Sequence, residues 1–468
     1  MAKQHNVRDI SFKTASIHTS SGLYDLKPHF VELSVFENIF QPFLTADVVL
    51  SDSFNIPQKL PIVGQETVEL EILLSGFDGA KGQDKLSIKP PKMHVNQIAA
   101  KFFSKPKTQH FTLQLISDSF MSGLDSKISK SYKDQKISSI VEDIFFTYLN
   151  SGGRGIVIEP TDKIENIIIP NLRPVKAIQW LAKRAVKGDA VNYLYYETMN
   201  TPQFVSLNKL AKEEPLKTLI FKPRVDDPTG VGHLATNTFK INKFSFKKTF
   251  DKKDNIVNGV YSSKLITHNI INKTIHQYEY NMFKDWSKLN HCGSFPPISD
   301  SIVETKSADV TRTSYAPSHE SSTLTTKQKE LSKQVDSQVS FYPKHSNMYT
   351  DFYTNEYDNE VEKWYLQRAG HMGLYGNHCL VLELAGNSAL RVGHPVTVIL
   401  PSPESNEGDK KSDVAEDKFI SGKYMVTAIQ HMFGRESDTD PRITYNMKIE
   451  VMKDGLEKEV VIRKPREG

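Results

Sequence analysis

The segment 60–74, LPIVGQETVELEILL, constrains the fold more than any other stretch of this chain. Pro61 and then Val63-Gly64 make a turn. After it Val68, Leu70 and Ile72 alternate with Glu69 and Glu71, the period-two pattern of a strand with one buried face and one wet face. A weaker echo lies far downstream. Residues 390–400 read LRVGHPVTVIL, again a Val-Gly turn followed by alternating Val396, Val398 and Leu400. A β-element met twice in one chain points to a duplicated barrel, an architecture suited to a scaffold.

Residues up to about 122 read as all-β. Val31, Leu33 and Val35 alternate, as do Phe111, Leu113 and Leu115, and FLTADVVLSD (43–52) is a further strand. Gly76-Phe77-Asp78-Gly79 and Pro90-Pro91 supply turns. After Gly123 the period changes. Ile137, Ile140, Val141, Ile144, Phe145 and Tyr148 recur at steps of three and four, one face of a helix ended by Gly152-Gly153. A short strand, IIIP (167–170), precedes a second helix that starts at Pro174, where a missing N–H costs nothing. Its buried face is Ile178, Leu181, Ala182 and Ala185. The tyrosine-rich VNYLYYET (191–198) and FVSLNKL (204–210) read as a hairpin of strands, so 123–213 is an α/β insert between all-β segments.

From about 236 strands return. In INKFSFKKTF, Phe244 and Phe246 take one face and Lys243, Ser245 and Lys247 the other. Residues 259–281 read as two strands around Asn272-Lys273. Residues 297–340 are rich in Ser, Thr, Lys and Gln without a period, a polar excursion. Val361, Trp364, Tyr365 and Arg368 then have helical spacing up to Gly370. The chain closes with strands at 379–384, 390–400, 423–433 and 443–453, and a polar loop at 402–418.

The chain's 468 residues allow about three or four domains. A net charge of +4 does not call for nucleic acid. Two cysteines, Cys292 and Cys379, fit a reducing compartment and exclude a disulfide framework. The start, MAKQHNVRDI, lacks the apolar core of a signal peptide, and no run approaches the ~18 apolar residues of a membrane helix, so no stable membrane association is expected.

No constellation assembles an active site. His291-Cys292 and His378-Cys379 could hold zinc only if they met in space, and adjacent residues on a strand face opposite ways. Ser151-Gly152-Gly153-Arg154-Gly155 follows a helix, whereas a phosphate cradle precedes one, so it reads as a helix end. Glu69 and Glu71 are a wet strand face. The Lys/Phe alternation at 243–248 has the form of a single-strand binder, but a packed Phe face with a solvated Lys face accounts for it. Tyr193, Tyr195, Tyr196 and Trp180 read as a strand packed on a helix. The expectation is therefore no catalytic, metal or cofactor-binding residue, no cofactor, and no enzyme.

The order of LPIVGQETVELEI, IIIPNLRPVKAIQWLAKRAV, NYLYYET, FVSLNKL and the Leu390-Arg391-Val392-Gly393 strand resembles the baseplate hub proteins of contractile-tailed phages. The helix IPN-x-x-P-x-x-A-I-x-W-L-A with its aromatic strand is the most specific part; 297–355 and 402–418 depart from the pattern. The resemblance implies a mainly β chain with two tail-tube-like barrels and an inserted α/β domain. The implied division is 1–122 for the first barrel, 123–213 for the insert, 214–285 and 371–468 for the second barrel, and 286–370 for an insertion with the polar excursion and a helix. It further implies a homotrimer whose six barrels form a pseudo-sixfold ring. That ring would join the hexameric tail tube or a tube initiator to a separate trimeric spike, contact other baseplate proteins, and let DNA pass as cargo. The place would be the virion tail, assembled in the host cytoplasm. A hub of a type VI-like secretion or injection particle is the alternative; a cell-wall hydrolase or a nucleic-acid-binding protein would require sites that are not visible.

Overall fold

The computed structural model describes residues 9–74, 87–150, 153–221, 239–270, 273–303, 328–344, 360–402, 416–435 and 442–458. Most of the 297–355 excursion and of the 402–418 loop, the Gly76–Gly79 turn, Ser151-Gly152 and Asn272 lie outside them. The chain is mainly β with helices between the strands, as the sequence predicts. Eight strands open it: β1 (Asp9–Thr19), β2 (Gly22–Asp25), β3 (Phe30–Asn38), β4 (Thr45–Asp52), β5 (Thr67–Leu74), β6 (Ser87–Ile88), β7 (Met93–Lys105) and β8 (Thr108–Ser117). Then follow β9 (Ile128–Lys136), β10 (Val157–Ile158), β11 (Ile164–Leu172), β12 (Tyr193–Glu197) and β13 (Pro202–Ser206). Next come β14 (Thr218–Phe221), β15 (Lys240–Thr249), β16 (Ser262–Asn269), β17 (Thr274–Asn281), β18 (Ser301–Val303), β19 (Gln328–Glu330) and β20 (Val339–Lys344). The last four are β21 (His378–Ala385), β22 (Pro395–Ile399), β23 (Gly422–Arg435) and β24 (Ile443–Lys453).

Backbone pairing closes two circuits. The first runs β1–β5–β7–β8–β4–β3–β23–β24 and back to β1. The second runs β24–β21–β15–β14–β22–β23 and back to β24. Both pass through β23 and β24, whose edges are divided: β24 pairs with β1 at Ile443 and Thr444 and with β21 from Asn446 on. One apolar core serves both circuits. Leu33, Val35, Leu113, Val68 and Ile72 meet Ile429, Phe433, Met447, Ile449 and Leu382 in it, all buried. Each such side chain contributes roughly 1.5–3 kcal/mol by leaving water.

The two Val-Gly turns keep their common chemistry. Gly64 and Gly393 have φ of 96° and 84°, the left-handed region that a side chain resists. Their strands sit differently, however. β5 lies between antiparallel neighbours, whereas β22 has a parallel neighbour in β14 and an antiparallel one in β23.

The insert packs a core of its own. Ile140, Val141 and Ile144 of helix Ile137–Ile144, a π turn at Phe145–Leu149, and Ile178, Leu181 and Ala182 of helix Pro174–Ala182 bury against Ile167 and Ile169. The strand there is longer than IIIP, because β11 pairs with β9, a strand that the sequence reading did not include. In β9 only Ile128 and Tyr132 are buried, and its exposed Ser and Lys residues blur the period. FVSLNKL does not stay extended. The strand stops at Ser206, whose side chain accepts from the Lys209 amide and starts a helix, Leu207–Lys212.

Within 214–285, β14 and β15 join the large sheet, but β16 and β17 do not. They pair with each other and with β20 in a separate sheet. The later helix runs Val361–Tyr375, past the expected end at Gly370. Gly370 permits close packing there instead of ending the helix: a Cβ would run into the Tyr280 ring, and one at Gly373 would lie 2.5 Å from Val260 Cγ2.

Candidate functional site

Eight strands lie side by side with every neighbour antiparallel: β15, β21, β24, β23, β3, β4, β8 and β7. Their alternation gives the wall two faces. One carries the shared core. The other is polar and runs without a break from the second circuit to the first. The register sets Lys243, Glu383, Lys448, Gln430, Phe36, Thr45 and Ile116 in one row across it. The next row reads Asn446, Met432, Ser34, Asp47, Gln114 and Gln97.

The charges of this face cancel locally. Lys243 Nζ lies 4.0 Å and Lys448 Nζ 3.7 Å from Glu383 Oε1, and Lys247 Nζ lies 2.5 Å from Glu450 Oε2. Asp47 adds one acid, and burial pushes its carboxyl above the usual range. Gln430 donates to Ser34 Oγ at 3.2 Å, and Gln97 donates to Gln114. The surface is thus polar, hydrogen-bonded to itself and nearly neutral, with no strip of unpaired lysines among its described residues to hold phosphates. This disposes of the Lys/Phe alternation: Lys243 and Lys247 answer acids on neighbouring strands, and Lys248 lies 2.6 Å from Asp251 Oδ2 just past its own strand. Phe244 packs on the core beside Phe221, ring centroids 4.8 Å apart, but Phe246 is 46% exposed, so only half of the expected Phe face is packed. Glu69 and Glu71 are a wet face as expected, bridging His18 at 3.6 Å and Lys13 at 2.9 Å on β1.

The two His-Cys pairs do not converge. Among the described residues, the group close enough to hold a metal is His291, His371 and Asp454, with neither cysteine in it. Its hydrogen bonds identify it as a stitch. His291 Nδ1 lies 2.7 Å from Asp454 Oδ2 and Nε2 lies 2.9 Å from the Trp286 carbonyl. Both partners are acceptors, so these contacts already engage both ring nitrogens of His291. The Trp286 ring stacks on His291 at 3.6 Å. The Asn192 amide donates to His371 Nδ1 at 2.5 Å, which leaves the proton on Nε2, 3.5 Å from Asp454 Oδ2. Asp454 Oδ1 accepts from the Cys292 amide at 2.8 Å. Burial opposes charge on Asp454, yet His291 and the bonds from both histidines outweigh it and hold the carboxyl well below its usual range. Burial pushes the Cys292 thiol up, away from reactivity. The other pair stays apart from this group: His378 rests edge-on to Phe250, centroids 4.7 Å apart, and Cys379 is buried beside Glu450.

The tyrosine cluster is core, as read from sequence. Tyr193, Tyr195 and Tyr196 are buried, and Tyr193 Oη donates to the Pro160 carbonyl at 3.0 Å. Trp180 is partly buried against the same core as Tyr193 and Tyr195, with the Arg184 guanidinium 3.8 Å over its ring. The residue that ties this region to the rest is Arg368. It donates to the carbonyls of Ala182 at 3.2 Å, Val191 at 3.0 Å and Tyr193 at 2.9 Å. Of the SGGRG segment, Arg154 donates to the Thr198 carbonyl at 2.9 Å, so this loop braces the hairpin β12–β13. Glu197 accepts from the Leu44 amide at 3.2 Å and Glu37 from the Met199 amide at 2.6 Å, which seats the same hairpin on the end of the first circuit. No helix among the described residues is long and apolar enough to cross a membrane.

No protein-family model and no curated protein sequence matches the chain. Solved structures do. A tail protein from Neisseria meningitidis MC58 superposes with a TM-score of 0.50 at 12% identity, covering 95% of this chain and 97% of that one. The 43 kDa tail protein of prophage MuSo2 from Shewanella oneidensis gives 0.49 at 9% identity over 94% and 97%. Prophage tail protein gp18 from Listeria monocytogenes EGD-e gives 0.44 at 8% identity over 94% of each chain. At such identities the likeness is one of architecture, and it is carried by the Neisseria protein: along nearly its whole length, this chain has the fold of a tail protein.

Proposed function

We propose that the chain is a structural hub of a contractile phage tail baseplate. In this reading the two circuits act as two tube-like barrels, and three copies form a ring of six. The ring adapts the hexameric tail tube or its initiator on one side to a trimeric spike on the other. The observation that carries it is the single polar wall spanning both circuits: one chain presents two similar, non-identical units side by side to a sixfold surface. The near-neutral, self-paired face then lines the channel, where a sequence-blind surface lets DNA pass without holding it. The insert at 123–213 faces neighbouring baseplate proteins, and assembly takes place in the host cytoplasm before the protein enters the virion tail. The role is mechanical and non-enzymatic.

Light scattering of the purified chain, with two-dimensional class averages of the same sample, tests this. A three-chain particle with a near-sixfold outline and an open centre is the expected result. A compact monomer without a pore, even after tube or spike protein is added, overturns it.

A further inference from the structure

The separate sheet of β17, β16 and β20 has one covered face and one open face. Leu265, Thr267 and Asn269 of β16 are buried on the side of helix Val361–Tyr375, where the rings of Tyr342 and Tyr365 meet with centroids 6.0 Å apart. On the other side the register sets three rows: Val339, Lys264 and Glu279; Phe341, Ile266 and Gln277; Pro343, His268 and Ile275. Phe341 and Ile275 are 75% and 63% exposed there. One lysine stands between two acids on this side. Lys264 Nζ lies 2.6 Å from Asp336 Oδ1 and faces Glu279 across the ladder.

The outer edge of β17 is open as well. Among the described residues β17 pairs with β16 alone, through eight consecutive residue pairs and no bulge. Thr274, Ile275, His276, Gln277 and Glu279 are exposed. Free edges in native sheets are kept short, or are broken by a bulge, a proline or a lysine. β2 and β6 are short and β20 carries Pro343, but TIHQYEYN has none of these guards.

We propose that residues 459–468 of the same chain, EVVIRKPREG, add to this edge as a fourth strand antiparallel to β17. Their composition fits the place. Val460, Val461 and Ile462 are β-branched, the side-chain type that suits a pleated, half-buried surface. Alternation turns apolar side chains of this run over the open face, beside Ile275 and Phe341. Arg463 and Lys464 bring positive charge to a face where Glu279 and Asp336 share one lysine. Pro465 has no N–H for a ladder and ends the pairing. The starting point fits too. A Cβ on Gly455 would lie 3.0 Å from Trp286 Cζ2, and Leu456 bridges to Phe295. Trp286 follows the end of β17 after helix Met282–Asp285, which spans about 6 Å. The five steps from Gly455 to Val460 reach about 17 Å when extended. A strand that enters at Asn281 and runs toward Thr274 is antiparallel to β17 by construction. Main-chain hydrogen bonds along the edge then hold it, and the pockets beside Ile275 and Phe341 set its register.

Hydrogen exchange over residues 274–281, read by mass spectrometry on the full chain, tests this. Two chains serve for comparison, one stopped after Lys458 and one of full length carrying Val461→Pro; circular dichroism checks that both fold. In both, the β17 amides that point away from β16 are expected to exchange at least about tenfold faster, while β16 keeps its rate. The synthetic peptide EVVIRKPREG, added to the shortened chain, should restore the protection, and the same peptide with Val461→Pro should not. Equal exchange over 274–281 in all three chains overturns the docking. So does a wild type in which every outward amide of β17 exchanges as an unprotected amide would, a result that needs no variant. Protection that appears only as the wild-type concentration is raised overturns docking within one chain, because the edge is then filled by another copy.

Discussion

Replacing Arg368 with methionine tests how the helix Val361–Tyr375 is held to the insert. The guanidinium answers three carbonyls, two of them on the stretch that leads into β12 and one at the end of helix Pro174–Ala182, where the helix dipole favours a cation. Charge-assisted bonds contribute roughly 1.5–3 kcal/mol each, so the three amount to about 5–9 kcal/mol. Burial works against the charge and lowers the arginine pKa from 12.5 to about 10, a cost of roughly 3 kcal/mol. Methionine recovers that cost and fills similar volume but leaves three carbonyls without a donor. The net loss is about 2–6 kcal/mol. Urea unfolding followed by far-ultraviolet circular dichroism measures it, and hydrogen exchange in β12 locates it. Arg368→Lys, which reaches fewer of the carbonyls, should fall between. A methionine variant with the wild-type midpoint and unchanged protection in β12 would refute the clamp.

Three further outcomes follow from the geometry. Burial, and then Lys453, pushes the His378 pKa from 6.5 to about 4, so the unfolded chain takes up a proton that the native one refuses. Stability should therefore fall by up to roughly 3 kcal/mol as pH drops from about 6.5 to about 4, and His378→Phe should flatten that slope in urea titrations. Asp454→Asn removes the negative charge and the oxygen that both histidines face, leaving one oxygen for the Cys292 amide, and should cost about 3–5 kcal/mol in the same assay; an unchanged midpoint would contradict the stitch. Replacing both Glu383 and Glu450 with lysine leaves Lys243, Lys247 and Lys448 without their acids, and should create salt-sensitive retention of free DNA in gel shifts, where the wild type shows none.

The strands of the wall were legible because one face is buried and the other wet, which writes a period of two into Val68-Leu70-Ile72 and Phe111-Leu113-Leu115. The helices of the insert were legible for the parallel reason at steps of three and four. What stayed hidden has no local mark. β9 buries two residues of nine, so its sequence looks like a loop. Gly370 resembles a helix stop, since a sequence does not record the Tyr280 ring packed on it. Arg368 resembles any solvated arginine at helical spacing, and Asp454 follows its strand as a turn residue would. Nor does sequence reveal that β23 and β24 belong to both circuits, because a pairing partner hundreds of residues away leaves no trace in the strand itself.

That sharing sets the order in which the molecule can be made. Gln430 and Ser34, hydrogen-bonded across β23 and β3, are 396 residues apart in sequence. At about 5–20 residues per second, a ribosome needs on the order of 20–80 s to deliver β23 after β3 has emerged. Through that interval β1 and β3 lack the neighbours that close their circuit, and their edges stand open to any strand nearby. The N-terminal circuit is then among the last parts to be completed, although its strands are the first to be synthesised. Neither circuit is a unit that can be cut out and expressed alone, and a chaperone that shields β1 and β3 during synthesis should raise the yield of folded protein more than one added after release.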